Sequence, residues 1–216
     1  KDVNSMNKFL TTPLANEIWA PLASKGIVCL GAAATGPYSV ISNKHEIILP
    51  QNAKGLKIRS LGDGSLMWMA VGASPVDLPA GDIFISMQRG MIDGADIGPI
   101  SVKERSLFDV TKFYLDTFVH STVIGHFANK KWLDNVPDDV KAKILAHIKT
   151  AEKKHHEVVP SLSAQYIKEM AQKGAKVHVL TDKEREEWVK AMKPVYDKLG
   201  QQVGQEYLKK IMDSQK

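Results

Sequence analysis

Short apolar runs and helix-period patterns alternate along the first 118 residues, as an α/β layer structure with largely parallel strands requires. An amphipathic helix is predicted over about Asn4 to Ser24, stopped by Gly26, with a strand from Ile27 to Ala32. Thr35-Gly36-Pro37 reads as a turn before an extended stretch, Tyr38 to Ser42. Strands follow at Leu56–Ser60, Val76–Leu78 and Met91–Asp96, separated by helices near 65–71 and 81–89. Two further extended runs, Lys112–Phe118 and Thr122–Ala128, precede Trp132. From Pro137 to Lys173 the pattern is helical almost without pause, Pro137 suiting a first turn and Asp138-Asp139 the positive helix end. Pro160 is expected to kink or break that helix, because it lacks a donor and crowds the preceding turn. A strand at Lys176–Leu180 leads to Thr181-Asp182-Lys183-Glu184, a capping-box sequence, and to a terminal helix interrupted near Gly200 and Gly204.

Composition narrows the class. With 44% hydrophobic and 25% charged residues and no apolar run long enough to span a bilayer, the chain reads as a globular protein of one or two domains. The net charge of +5 comes from lysines dispersed over helix faces among acids, such as Lys141, Lys143, Lys149, Glu152, Lys153 and Lys154. No basic stripe or aromatic platform is present, so nucleic acid is not expected as a partner. The single Cys29 lies in an apolar run and reads as a buried thiol without a disulfide partner in the chain. The chain opens at Lys1 and enters a helix pattern almost at once, which reads as a processed or truncated start.

Enzyme signatures are sparse. Gly62-Asp63-Gly64 lacks the spacing and the lysine of a phosphate loop, and no dinucleotide fingerprint or nucleophile elbow occurs. His155-His156 point about 100° apart on a helix, poor geometry for one metal ion. His120 and His126 flank a strand and read as hydrogen-bonded imidazoles, while Asp93 and Asp96 fall on opposite faces of one strand, with Asp93-Gly94 suited to a turn. Arg59 is different. It ends the run Leu56-Lys57-Ile58-Arg59 at the mouth of a strand-to-helix loop, and a guanidinium is the side chain best shaped to hold a carboxylate.

Four segments occur in order within forty residues: Gly55-Leu56-Lys57-Ile58-Arg59, Gly72-Ala73-Ser74-Pro75-Val76, Leu78-Pro79-Ala80-Gly81-Asp82-Ile83-Phe84, and Gln88-Arg89-Gly90-Met91-Ile92-Asp93-Gly94. Together with Asp109-Val110-Thr111-Lys112-Phe113-Tyr114 and Asn129 to Pro137, this series resembles the DctP-like solute-binding proteins of tripartite ATP-independent periplasmic (TRAP) transporters. The resemblance covers nearly the whole chain. It implies a periplasmic, non-catalytic protein with a two-lobe, type II-like binding-protein fold, incomplete at its N-terminus and carrying a long spanning helix. The expected lobes are 1–36 with 119–181, and 37–118 with 182–216. It further implies a small organic acid held by Arg59 in an interlobe cleft and delivery to TRAP-type permease subunits; no cofactor and no metal ligand is assigned from the sequence.

Departures from the family pattern shape the expected ligand. Tyr38 stands where sialic-acid-type members carry a second arginine, Ile97 where an asparagine often follows the Asp-Gly segment, and Ala80 where an aromatic is frequent. A monocarboxylate with an apolar or aromatic body is therefore expected rather than a sugar acid. Its walls would be Trp68, Phe84 and Phe118, with Tyr38, Asp96 and Ile97 nearby. Nothing in the chain corresponds to the family's first strands. Exposed sheet edges and apolar surface are expected, covered by a missing N-terminal segment, a partner chain or an oligomer. Two alternatives remain: an enzyme using Asp96 or His120 as base beside Arg59, and a ligand-sensing module for a signalling partner.

Overall fold

The computed structural model describes residues 3–214, with backbone alone at 37 and at 118–121. The chain begins with two short helices, α1 (Val3–Leu10) and α2 (Pro13–Trp19), and a 3-10 turn, Ala20–Lys25. Thr12 caps α2 by accepting from the Ala15 amide, and Pro13 occupies the first turn, so the expected single helix is broken by its own cap residues. The long strand β1 (Ile27–Ser42) follows, then β2 (Lys57–Arg59), α3 (Gly64–Ala70), β3 (Ser74–Val76), α4 (Ile83–Gln88), β4 (Gly94–Ile97) and α5 (Pro99–Glu104). A second long strand, β5 (Phe113–Asn129), leads through α6 (Lys130–Asp134) into α7 (Asp138–Gln172). The chain ends with β6 (Lys176–Val179), α8 (Asp182–Ala191), α9 (Lys193–Val203) and α10 (Gln205–Ser214).

Three expectations change. The turn at Thr35-Gly36-Pro37 does not end a strand, since β1 runs through it with Gly36 at φ 105°. The two runs around residue 120 are one strand, β5. Of the kink or break expected at Pro160, the break does not occur: α7 continues through it as one helix of 35 residues. The terminal region also divides differently, at Met192 before Pro194 and at Gly204, while Gly200 stays within α9.

The chain forms two compact units. Unit 1 comprises 1–36, 121–161 and 211–216, and unit 2 comprises 37–120 and 162–210. Residues 162–181, expected with the first lobe, therefore cluster with unit 2. The reason is backbone pairing: β6 lies parallel to the start of β5, with Phe113 opposite Lys176 and Asp116 opposite Val179.

In unit 1 the Asn7 side-chain oxygen accepts from the Ala34 amide at 2.9 Å, tying α1 to β1, and Trp19 meets Phe127 edge-on at 5.7 Å. The unit also holds a cavity of about 410 Å³ bordered by Trp19, Cys29, Gly31, Glu152 and His156. Ile124, Phe127 and Trp132 are exposed.

Unit 2 has helices on both faces of its sheet. The strand order is β3-β2-β4-β1-β5-β6, with β2 parallel to β3 and β4, and β4 antiparallel to β1. Alternation along each strand sends side chains to two cores. One contains Val40, Ile58, Met67, Trp68, Leu115 and Trp188. The other contains Ile41, Ala95, Ile97, Ile83, Met87, Val102 and Tyr114. Helix α3 therefore packs on one face, and α4 and α5 on the other.

Candidate functional site

That arrangement creates a switch point. From β2 the chain passes through α3 on the first face to β3, then returns through α4 on the second face to β4 on the other side of β2. The connection leaving β2 turns to one face and the one leaving β4 turns to the other. The carboxyl ends of β2 and β4, between these two connections, are the position at which open α/β sheets take ligands.

Arg59 is the last residue of β2 and sits at this point, opposite Ala95 of β4. It is 4% exposed, and its Nε donates to the Leu78 carbonyl at 3.1 Å. Its strand end is fixed by the next residue, whose amide donates to the Val76 carbonyl at 3.2 Å. Burial pulls the Arg59 pKa below its ordinary value; Tyr38, Asp96 and Asp77 oppose that pull and Arg105 adds to it. The guanidinium stays charged at physiological pH, and the bond to Leu78 occupies one of its five donors.

Asp96 lies one residue beyond Ala95 on β4 and is 3% exposed. Its Oδ2 accepts from Ser60 Oγ and from Trp68 Nε1, each at 3.1 Å. Asp96 is thus a fixed, buried carboxylate on the Trp68 face of the sheet, while its strand neighbours Ala95 and Ile97, and Arg59 opposite Ala95, face the other core. A general base open to solvent is not what this geometry provides.

The remaining predicted residues separate. Tyr38 is half-buried on β1, one residue before Ser39, which pairs with Ile97. Phe84 is half-buried on α4 and packs against the second core. Trp68 and Ile97 are core residues: Trp68 is 1% exposed, with its ring edge-on to Trp188 at 6.0 Å, and Ile97 is equally enclosed. Trp68 therefore meets the site through its N–H on Asp96 and offers no open face as a wall. The side chains of Phe118 and His120 lie outside the described residues. Asp93, expected in a turn with Gly94, lies in a bend before β4 and ties distant segments together, accepting from the Lys57 amide at 2.8 Å and pairing with Lys44 at 3.2 Å.

Sequence reasoning missed Ser60, Leu78, Asp77 and Arg105. Ser60 adjoins Arg59 and was findable by position, whereas Leu78 acts through a backbone carbonyl that carries no side-chain signal. Among the described residues no group of three or more His, Cys, Asp or Glu is placed to hold a metal ion, and no helix is long and apolar enough to cross a membrane.

Comparison with known proteins places this architecture. A TRAP periplasmic solute-binding protein from Shewanella oneidensis, solved with bound succinate, superposes with a TM-score of 0.90 at 23% identity, covering 100% of this chain and 71% of that one. One from Bradyrhizobium, in complex with galacturonate, gives a TM-score of 0.85 at 26% identity over 98% of this chain and 71% of its own. The C4-dicarboxylate-binding periplasmic protein DctP of Vibrio cholerae is 27% identical over 211 residues, 94% of this chain. The present chain spans 62% of that relative's length. With residues 1–202 matching the family model, the chain belongs to DctP, the bacterial extracellular solute-binding proteins of family 7.

Proposed function

We propose that this protein captures a small organic acid by its carboxylate on Arg59, in the periplasm, and hands it to a TRAP-type membrane transporter. One observation carries the reading: a buried arginine at the carboxyl end of β2, at the switch point of the unit 2 sheet. A guanidinium taken out of water is costly unless an anion joins it, and a carboxylate matches its fork. The Vibrio relative is named for C4-dicarboxylates and the Bradyrhizobium structure holds a uronic acid, so the carboxylate is the feature their ligands share. Tyr38 and Phe84, both half-buried, are the proposed neighbours of the ligand's body. Unit 1, with Ile124, Phe127 and Trp132 exposed, leaves apolar surface for further protein to cover.

Calorimetric titration with a panel of mono- and dicarboxylates tests the reading, alongside native mass spectrometry of whatever acid co-purifies. Arg59→Ala is expected to lose about 2–5 kcal/mol of binding, the usual cost of truncating one partner of a buried charge pair. Undiminished affinity in a folded Arg59→Ala protein would remove the carboxylate clamp.

A further inference from the structure

Two residues past Arg59 stands a leucine that neither core takes in. Leu61 is 49% exposed, on the short stretch between β2 and the turn that opens α3. Its direction follows from its neighbour. Ser60 is turned to the Trp68 face, where its Oγ donates to Asp96 Oδ2 at 3.1 Å, while its amide donates to the Val76 carbonyl at 3.2 Å. Alternation carried on from β2 therefore turns Leu61 to the side of Arg59. Two residues of chain span at most about 7 Å, so the two α-carbons are no further apart than that.

The guanidinium also lies against apolar chain. Its Nε donates to the Leu78 carbonyl at 3.1 Å, and Leu78, Ala80 and Phe84 are half-buried side chains packed on the second core. Exposed leucines are common on protein surfaces, and exposure alone gives Leu61 no role. Its place does: a carboxylate on Arg59 fixes one end of a ligand, and the carbons behind it then meet an apolar surface on which Leu61 is the part still open to water.

We propose that Leu61 is a specificity-determining residue of the Arg59 site, the apolar contact for the carbon chain of the bound acid. This rests on the reading of Arg59 as the carboxylate clamp, and it makes the ligand a carboxylate with an apolar chain. Each methylene fully covered corresponds to about four-fold in affinity.

The test follows backbone amide shifts by NMR while acetate, propanoate, butanoate and pentanoate are titrated near neutral pH at constant salt. Wild-type affinity is expected to rise by about two- to four-fold with each added methylene. Leu61→Ala should flatten that rise, costing pentanoate about ten-fold and acetate about two-fold at most. Leu61→Met keeps the apolar bulk and should restore it. The Leu61 role is overturned if wild type holds acetate as tightly as pentanoate, or if Leu61→Ala weakens the four acids equally or not at all. Should Leu61→Ala fail to fold, Leu61→Asn, close in volume but polar, reads the same slope. Arg59→Ala separates the two levels: if it loses every acid while the slope in Leu61→Ala is unchanged, only the role of Leu61 falls. If it keeps them, the clamp falls and this proposal with it. Wild type that binds none of the four overturns the proposal, and the dicarboxylate panel used for Arg59 then decides on the clamp.

Discussion

Gly94 and Arg59 hold neighbouring strands of one sheet, and each tolerates little change for a different reason. A Cβ built on Gly94 would stand 2.4 Å from the Ile41 carbonyl oxygen and 3.2 Å from Ile58 Cδ1. The first of these is backbone in a paired strand, with Ser42 opposite Gly94, and it cannot step aside cheaply. Gly94→Ala is expected to cost about 2–4 kcal/mol in urea denaturation. At Arg59 the constraint is shape: Arg59→Lys keeps the charge but loses the planar fork and the Nε bond to Leu78, so carboxylate binding should weaken while the fold persists. Trp68→Phe should cost about 1–3 kcal/mol, because Asp96 loses a donor within the core. In the sequence Arg59 stands out only through the ordered series from Gly55 to Gly94, since an arginine at a strand end reads equally well as a solvated surface residue. The role of Trp68 was not legible there, since its partner lies 28 positions away on a different strand and an aromatic in a helix pattern reads equally well as wall or core.

At the scale of elements, local signals were read correctly where the chain answers them locally. The capping box at Thr181 is present in full: Thr181 Oγ1 accepts from the Glu184 amide, and Glu184 Oε2 accepts from the Thr181 amide at 2.8 Å. Thr181→Ala should cost about 1 kcal/mol, seen as a lowered denaturation midpoint. The Thr181 backbone N–H, and after it His178, hold the Glu184 carboxyl below its usual range. A pKa depressed by folding adds stability that is present above the unfolded-state pKa and is lost as pH falls through the folded-state value. The stability gap between wild type and Glu184→Gln should therefore close on acidification through the carboxylate range; a gap that widens there would exclude the assignment. Two of the signals that mislead share a reason. Gly36-Pro37 and Pro160 are breakers by local rule, yet β1 and α7 run through them. Each lies within one residue of a boundary between the two compact units, at 36/37 and 161/162. They mark where the chain passes from one unit to the other, which a search for element ends cannot distinguish from a stop.

For the whole molecule, a ligand that binds the folded chain stabilises it in proportion to the logarithm of its concentration, by about 2.7 kcal/mol at one hundred times Kd. That gain should appear as a raised melting temperature with the preferred carboxylate and vanish in Arg59→Ala. Amide hydrogen exchange then assigns the gain to a place. The segments leaving β2 and β4, from Ser60 to Gly64 and from Gly98 into α5, carry no strand pairing of their own beyond the Ser60 amide on Val76. Such segments open locally at low cost, so bound ligand should slow their exchange before that of the sheet interior. Unit 1 supplies the contrast, because its cavity beside Trp19, Cys29, Glu152 and His156 is roomy enough for a small molecule and contains no arginine. Protection confined to β1 before Gly36 and to α7 around Glu152 would put the acid there and leave Arg59 as a structural cation. Protection at Ser60–Gly64 and Gly98 that disappears with Arg59→Ala is the result the switch-point geometry requires.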